Sequence, residues 1–182
     1  MYKVSFALSQ LVIVDMQEKL AAVMPAADLK NVTKNCSILA QAASLLNVPT
    51  VLTEQYPQGL GPTLPEIKQH LSHTKVIAKT TFSASAEPKF NQQLQRENSQ
   101  IILAGMEAHI CVMQTALDLL QANKQVFVVE DAILSRNPVN KVNAIARLRD
   151  AGCIITNTES VVFEWLGNAS HPAFKSISAL IR

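Results

Sequence analysis

Six short apolar runs, at residues 11–15, 50–53, 76–79, 101–105, 126–131 and 154–158, punctuate this chain from end to end. They are rich in Val and Ile and nearly continuous in hydrophobicity, without the alternation of a strand that has one wet face. Strands of that kind belong to parallel sheets covered on both sides. Parallel neighbours need a crossover connection, usually a helix, and the intervening segments supply candidates. Residues 29–46 place Val32, Cys36, Leu39, Ala43 and Leu46 at three- and four-residue steps, and residues 86–97 form a shorter candidate. Residues 139–151 repeat the pattern with Val142, Ile145, Ala146 and Leu148, after Asn137 as a cap and Pro138 at the first helical position. The alternation predicts an α/β fold: a three-layer α/β/α arrangement around a Rossmann-like, doubly wound parallel sheet of six strands.

A chain of 182 residues is the size of one ordinary domain, and residues 1–182 are expected to form a single one. No internal repeat or low-complexity linker divides it, and "YPQGLGPTLP" at residues 56–65 reads as a loop over the carboxyl edge of the sheet. The net charge of +2, without a clustered Lys/Arg stripe, argues against nucleic acid and leaves a small molecule as the better partner. No apolar run approaches the roughly 18 residues of a membrane span. The start, "MYKVSFALSQ", lacks the apolar core of a signal peptide, so a cytoplasmic location is expected. Cys36, Cys111 and Cys153 are odd in number and lack CxxC spacing, which predicts free thiols rather than disulfides or a zinc site.

Ligands of doubly wound sheets bind beyond the carboxyl ends of the strands, and three of these ends carry reactive groups. "LVIVD" ends at Asp15, "VIAK" ends at Lys79, and the fourth strand runs through "GMEAHICVMQTALDLL" to Cys111 near a helix start. Taken singly, each has an ordinary role: a helix cap, a solvated cation, a small buried hydrophobe. Cys36 and Cys153 keep that ordinary reading. The other three together supply a nucleophile, a proton acceptor and a cation.

Their order is also specific. The segments "LVIVDMQEKL", "KTTFSA", "GMEAHICV" and "DAILSRNPVNKVNAIARLRDAGCIITNTESVVFEWLG" resemble the isochorismatase-like cysteine hydrolases over nearly the whole chain. Within that family the loop "TEQYPQGLGPT" is most similar to the YcaC-related isochorismatase-domain branch. The resemblance implies a strand order of 3-2-1-4-5-6 and a triad of Asp15, Lys79 and Cys111. It implies hydrolysis of a small amide or related C–N bond through a thioester on Cys111, with no cofactor. It also implies an oxyanion hole from backbone N–H groups around Ile110 and Cys111. A cis peptide in the segment 106–108, at Glu107–Ala108 or its neighbour, would help to position it. Tyr56, Phe82 and His109, each beside one of these sites in sequence, are candidates for the substrate pocket.

A reference aspartate near pKa 3.9 is a weak base for a thiol near 8.5, a gap of about 4.6 units or roughly 6 kcal/mol. The Lys79 ammonium and the helix start are expected to favour the thiolate, and burial to raise Asp15. No metal is expected. Nicotinamidase relatives bind one with an Asp-x-His element after the second strand, where this chain has Glu54, Gln55 and Tyr56 and no histidine. A haloacid-dehalogenase-like phosphatase would need a second acid two residues beyond Asp15, where Gln17 stands, and no G-x-G-x-x-G follows the first strand. The remaining alternative is a non-catalytic scaffold that keeps the hydrolase fold. Trp165, after the apolar Val161-Val162-Phe163, predicts an exposed apolar helix suited to a homo-oligomer interface.

Overall fold

In the computed structural model, which describes residues 3–181, the six runs become strands β1 (Ser9–Val14), β2 (Thr50–Gln55), β3 (Val76–Lys79), β4 (Gln100–Met106), β5 (Gln125–Leu134) and β6 (Ile154–Thr156). All pair in parallel, in the order β3-β2-β1-β4-β5-β6. Four longer helices cover the sheet: α1 (Ala26–Leu46), α2 (Met113–Gln121), α3 (Pro138–Asp150) and α4 (Thr158–Leu166). Successive residues of β1 point to opposite faces and both are packed. Leu11 and Ile13 join Leu39, Ala43, Val162 and Trp165 in one core, while Val12 and Val14 join Val112, Ala116, Ala144 and Leu148 in the other. This is why the strands read as unbroken apolar runs.

The chain turns away in opposite directions from β1, to β2 on one side and β4 on the other, so a crevice opens at the carboxyl ends of these strands. Gly105 makes the approach of β4 possible. It pairs with Val14 at a φ of +120°, and a Cβ there would lie 2.0 Å from the Val14 carbonyl oxygen.

Local signals set most helix ends. Asn137 caps α3 by accepting the Val139 N–H at 3.0 Å, with Pro138 at the first position as expected. Asn47 ends α1 in the left-handed conformation. β6 stops at Thr156 because Asn157 caps α4, accepting the Ser160 N–H at 2.8 Å.

Two expectations are corrected. Residues 86–97 form no continuous helix, only a 3-10 turn at Ala84–Ala86 and a single turn at Pro88–Asn91. Gln10, buried on β1, captures the following backbone: its Nε2 donates to Gln93 O at 2.8 Å and its Oε1 accepts the Gln95 N–H at 3.1 Å. Those groups would otherwise propagate a helix. Trp165 is not at the surface but in the core, 3% exposed, with its Nε1 donating to Ser9 Oγ at 3.0 Å. Of the apolar residues of α4, only Phe163 is substantially exposed, at 37%.

Candidate active site

Asp15 follows β1 directly and adopts φ +50°, a conformation that Asp tolerates better than most residues. Its carboxylate is buried completely. Oδ1 accepts a hydrogen bond from Thr53 Oγ1 at 2.6 Å, and Oδ2 accepts one from Lys79 Nζ at 2.7 Å. Lys79 closes β3, opposite Gln55 of β2. Its ammonium also donates to Gln55 Oε1 at 2.6 Å, Phe82 O at 3.1 Å and Thr81 O at 3.2 Å. With four acceptors around three protons, the cation is fully satisfied by the protein. Gln17 fixes Gln55 in turn, accepting its backbone N–H at 2.7 Å and donating to its carbonyl oxygen at 3.0 Å.

Cys111 lies in a π-helical turn, Ala108–Val112, that runs into α2, and is 6% exposed. Such turns widen a helix locally and recur at functional sites. Asp15 and Lys79 both act on this thiol. Burial first, then the Asp15 charge, push it up to about 12, against the lowering pull of Lys79. The sequence led us to expect a favoured thiolate, and here only the Lys79 contribution has that sign. At neutral pH the resting site therefore holds mainly the thiol. Labelling of Cys111 by iodoacetamide is expected to be slow at neutral pH and to rise about tenfold per pH unit into the alkaline range. Peptide mapping of labelled protein checks this, and a rate that levels off near neutrality would contradict it.

The spacing between Lys79 and the thiol is held by two stitches from the loop after β3 to α2. Ser83 Oγ donates to Asp118 Oδ2 at 2.5 Å, and Thr115 Oγ1 accepts the Ala84 N–H at 2.9 Å. On the other side, the turn carrying Cys111 is clamped to the β5–α3 loop. The Glu107 carboxylate, buried, accepts the Arg136 backbone N–H at 2.9 Å and its Nε–H at 3.1 and 3.2 Å. His109 uses both ring nitrogens, Nδ1 with Ser135 Oγ at 2.9 Å and Nε2 with Asn140 Nδ2 at 3.3 Å. Donation by the amide to Nε2 makes Nδ1–H the donor to Ser135.

The remaining candidates fall around this centre. The cis peptide is Met106–Glu107, the neighbour of Glu107–Ala108. Ala108 is buried, and its carbonyl accepts the Met113 N–H. The Ile110 N–H is already given to Glu107 O at 3.1 Å, so it meets a substrate oxygen only by breaking that bond. Tyr56, which donates its N–H to Lys79 O at 2.8 Å, and Phe82 are each 56% exposed beside Lys79. Tyr56 and Lys79 share a shallow cavity of about 240 Å³. The sequence reading missed Thr53, Gln55 and Gln17 as partners of the acid and the cation. Their signal was polarity at the ends of strands otherwise apolar. Among the described residues, no three His, Cys, Asp or Glu side chains gather as a metal site would require, and no helix is long and apolar enough to cross a membrane.

A family model described as Isochorismatase domain matches residues 9–160 of the chain. The protein belongs to the isochorismatase family. It is 39% identical over 174 residues to isochorismatase domain-containing protein 2 of Bos taurus, covering 96% of this chain and 83% of that one. Among solved structures, MAR1 ribonuclease from Caenorhabditis elegans is similar with a TM-score of 0.92 and 36% identity, over 98% of this chain and 92% of its own. YcaC from Pseudomonas aeruginosa is similar with a TM-score of 0.86 and 28% identity, over 98% and 95%. The six-stranded sheet with its switch point at β1 and β4 is thus the isochorismatase fold.

Proposed function

We propose that this isochorismatase-family protein is a cysteine hydrolase that cleaves the C–N bond of a small amide. The observation that carries the reading is the convergence on Cys111 of a buried carboxylate and an ammonium that are themselves ion-paired at 2.7 Å. The thiol is held protonated beside a base, so attack and proton transfer proceed together. Sγ bonds to the amide carbon as its proton passes to Asp15. The C–N bond then breaks, Asp15 returns the proton to the leaving nitrogen, and a thioester remains. Water attacks the thioester, giving its proton to Asp15, and cleavage of the C–S bond releases a carboxylic acid and restores the thiol. Lys79 holds the carboxylate throughout, and Glu107 and His109 position the turn that carries the nucleophile. The Pseudomonas aeruginosa relative carries covalent acrylamide, which is in keeping with a reactive group in this family.

Asp15→Asn separates the roles. It removes the negative charge that raises the thiol while Lys79 still lowers it, so Cys111 becomes more acidic and labels at least ~10-fold faster at neutral pH. Turnover falls by ~10²–10⁴ because the leaving nitrogen loses its proton source. Parallel labelling and ammonia-release assays, the latter over a panel of small amides and ureas, make the test. Normal turnover in Asp15→Asn would reduce Asp15 to a structural cap.

Similarity to a ribonuclease favours a second reading, cleavage of RNA. A labelled RNA in the same panel decides between them, and an inert protein on both would favour the scaffold reading. Self-association as a homo-oligomer and a cytoplasmic setting remain part of the proposal, the first tested by sedimentation velocity.

A further inference from the structure

Beyond the carboxyl end of β5 the protein opens a second crevice, of about 550 Å³, between the first half of α1 and the first turns of α3. Its volume lies in the range of small-molecule sites, roughly 300–1,000 Å³. Asn31 and Asn35 of α1, Asp131 and Ser135 at the end of β5 and Lys141 of α3 contribute polar groups to it. None of Asp15, Lys79 and Cys111 lines it.

Two of these groups carry charge and make no direct contact with a counter-ion among the described residues. Asp131 is held by one oxygen only: Oδ1 accepts the Thr158 N–H at 2.8 Å and its Oγ1–H at 2.9 Å. Oδ2 accepts nothing from the described residues. The carboxylate is thus oriented without being neutralised. Lys141, part-buried on the facing helix, makes no hydrogen bond and no ion pair with any described residue. Burial lowers its pKa in spite of the opposing fields of Asp28, Glu130 and Asp131. A cation and an anion therefore face one crevice and are held apart. Part-buried opposite charges that line one crevice without touching each other are free to engage a ligand that carries both signs.

We propose that this crevice binds a small zwitterion of the amino-acid type, its carboxylate on Lys141 and its ammonium on Asp131. A simple anion would satisfy Lys141 but meet Asp131, and a simple cation would do the reverse. Asp28 and Lys34 at the rim keep the lining balanced at two acids and two lysines, so net charge selects neither ion alone. Asn35, whose Nδ2 is tied to Asp131 O at 2.7 Å, adds a fixed amide oxygen for the ammonium.

Titration of the full chain with glycine, L-serine and L-glutamine, beside acetate and methylammonium, tests the assignment by calorimetry and by NMR. At least one amino acid is expected to bind, with the two single-charge ions at least ~10-fold weaker. Lys141→Gln should weaken that binding ~10-fold or more and Lys141→Arg should largely retain it, with melting curves confirming that both variants fold. Cys111→Ala should bind as the native protein does, because the crevice is separate from the thiol. Absence of binding by all three amino acids, equal binding of acetate, an unaffected Lys141→Gln, or loss in Cys111→Ala would each overturn the proposal. The last outcome would move the ligand to the hydrolytic site without touching the evidence for that site.

Discussion

Cys111→Ala is expected to eliminate amide hydrolysis, a loss of at least ~10³-fold in kcat, while leaving the fold in place. No other thiol stands at this site: the Cys36 thiol lies on the opposite core face and donates to Ala132 O at 3.4 Å. Neither Cys36 nor Cys153 has both a carboxylate and an ammonium acting on it, as Cys111 has. The substitution removes one small buried group, for which about 1 kcal/mol of stability is at stake. Ammonia release measures the first effect and a melting curve the second. Retained turnover in a well-folded Cys111→Ala protein would remove the nucleophile and with it the thioester route.

Lys79→Met is expected to have the largest effect on stability of any change at the site. Both members of the Asp15–Lys79 pair are fully buried, and removing one leaves the other charge without its counter-ion. Breaking a buried pair in this way is destabilising by about 3–5 kcal/mol, which in a domain of this size lowers the melting temperature on the order of 10 °C. Among the described residues, Thr53 Oγ1 then remains as the one side-chain hydrogen-bond partner of the Asp15 carboxylate. The thiol also loses the one neighbour that lowers it, so the rise of Cys111 labelling moves to higher pH and turnover falls. The double variant Asp15→Asn/Lys79→Met should recover part of the lost stability, because the uncompensated charge is gone. Calorimetry on the two single variants and the double variant closes the cycle. Melting temperatures that simply add would show that the ion pair contributes nothing beyond its members.

Much of this site was legible because the chain announces its strand ends. Asp15 and Lys79 are the polar residues that stop two apolar runs, and Cys111 follows a third at a helical register. In a parallel sheet all such ends lie on one edge, and the strand order that the family resemblance implied brought residues 64 and 96 positions from Asp15 to its side. The cap at Asn137 and the stop at Asn47 were equally local. What failed to show was everything that depends on a partner from elsewhere in the chain. Gln10 ends the expected helix at 86–97 across 83 and 85 residues of sequence, and nothing within that segment marks the interference. Trp165 looks like a surface anchor in its own stretch and is a core residue because Ser9, 156 positions away, accepts its N–H.

The sequence by itself determined the sheet, its coverage on both faces and which reactive side chains stand at its carboxyl edge, since each of these follows from the period of hydrophobicity and from where it stops. Tertiary structure alone decided the chemistry of those side chains. Whether Cys111 rests as thiol or thiolate turns on burial and on the balance between Asp15 and Lys79. Whether Lys79 is available or satisfied turns on Gln55, Thr81 and Phe82. Whether the turn that carries Cys111 is fixed depends on Glu107 and His109 meeting Arg136, Ser135 and Asn140. Desolvation and hydrogen-bond geometry are properties of assembled neighbours, and a linear pattern names the residues without saying which of them will touch.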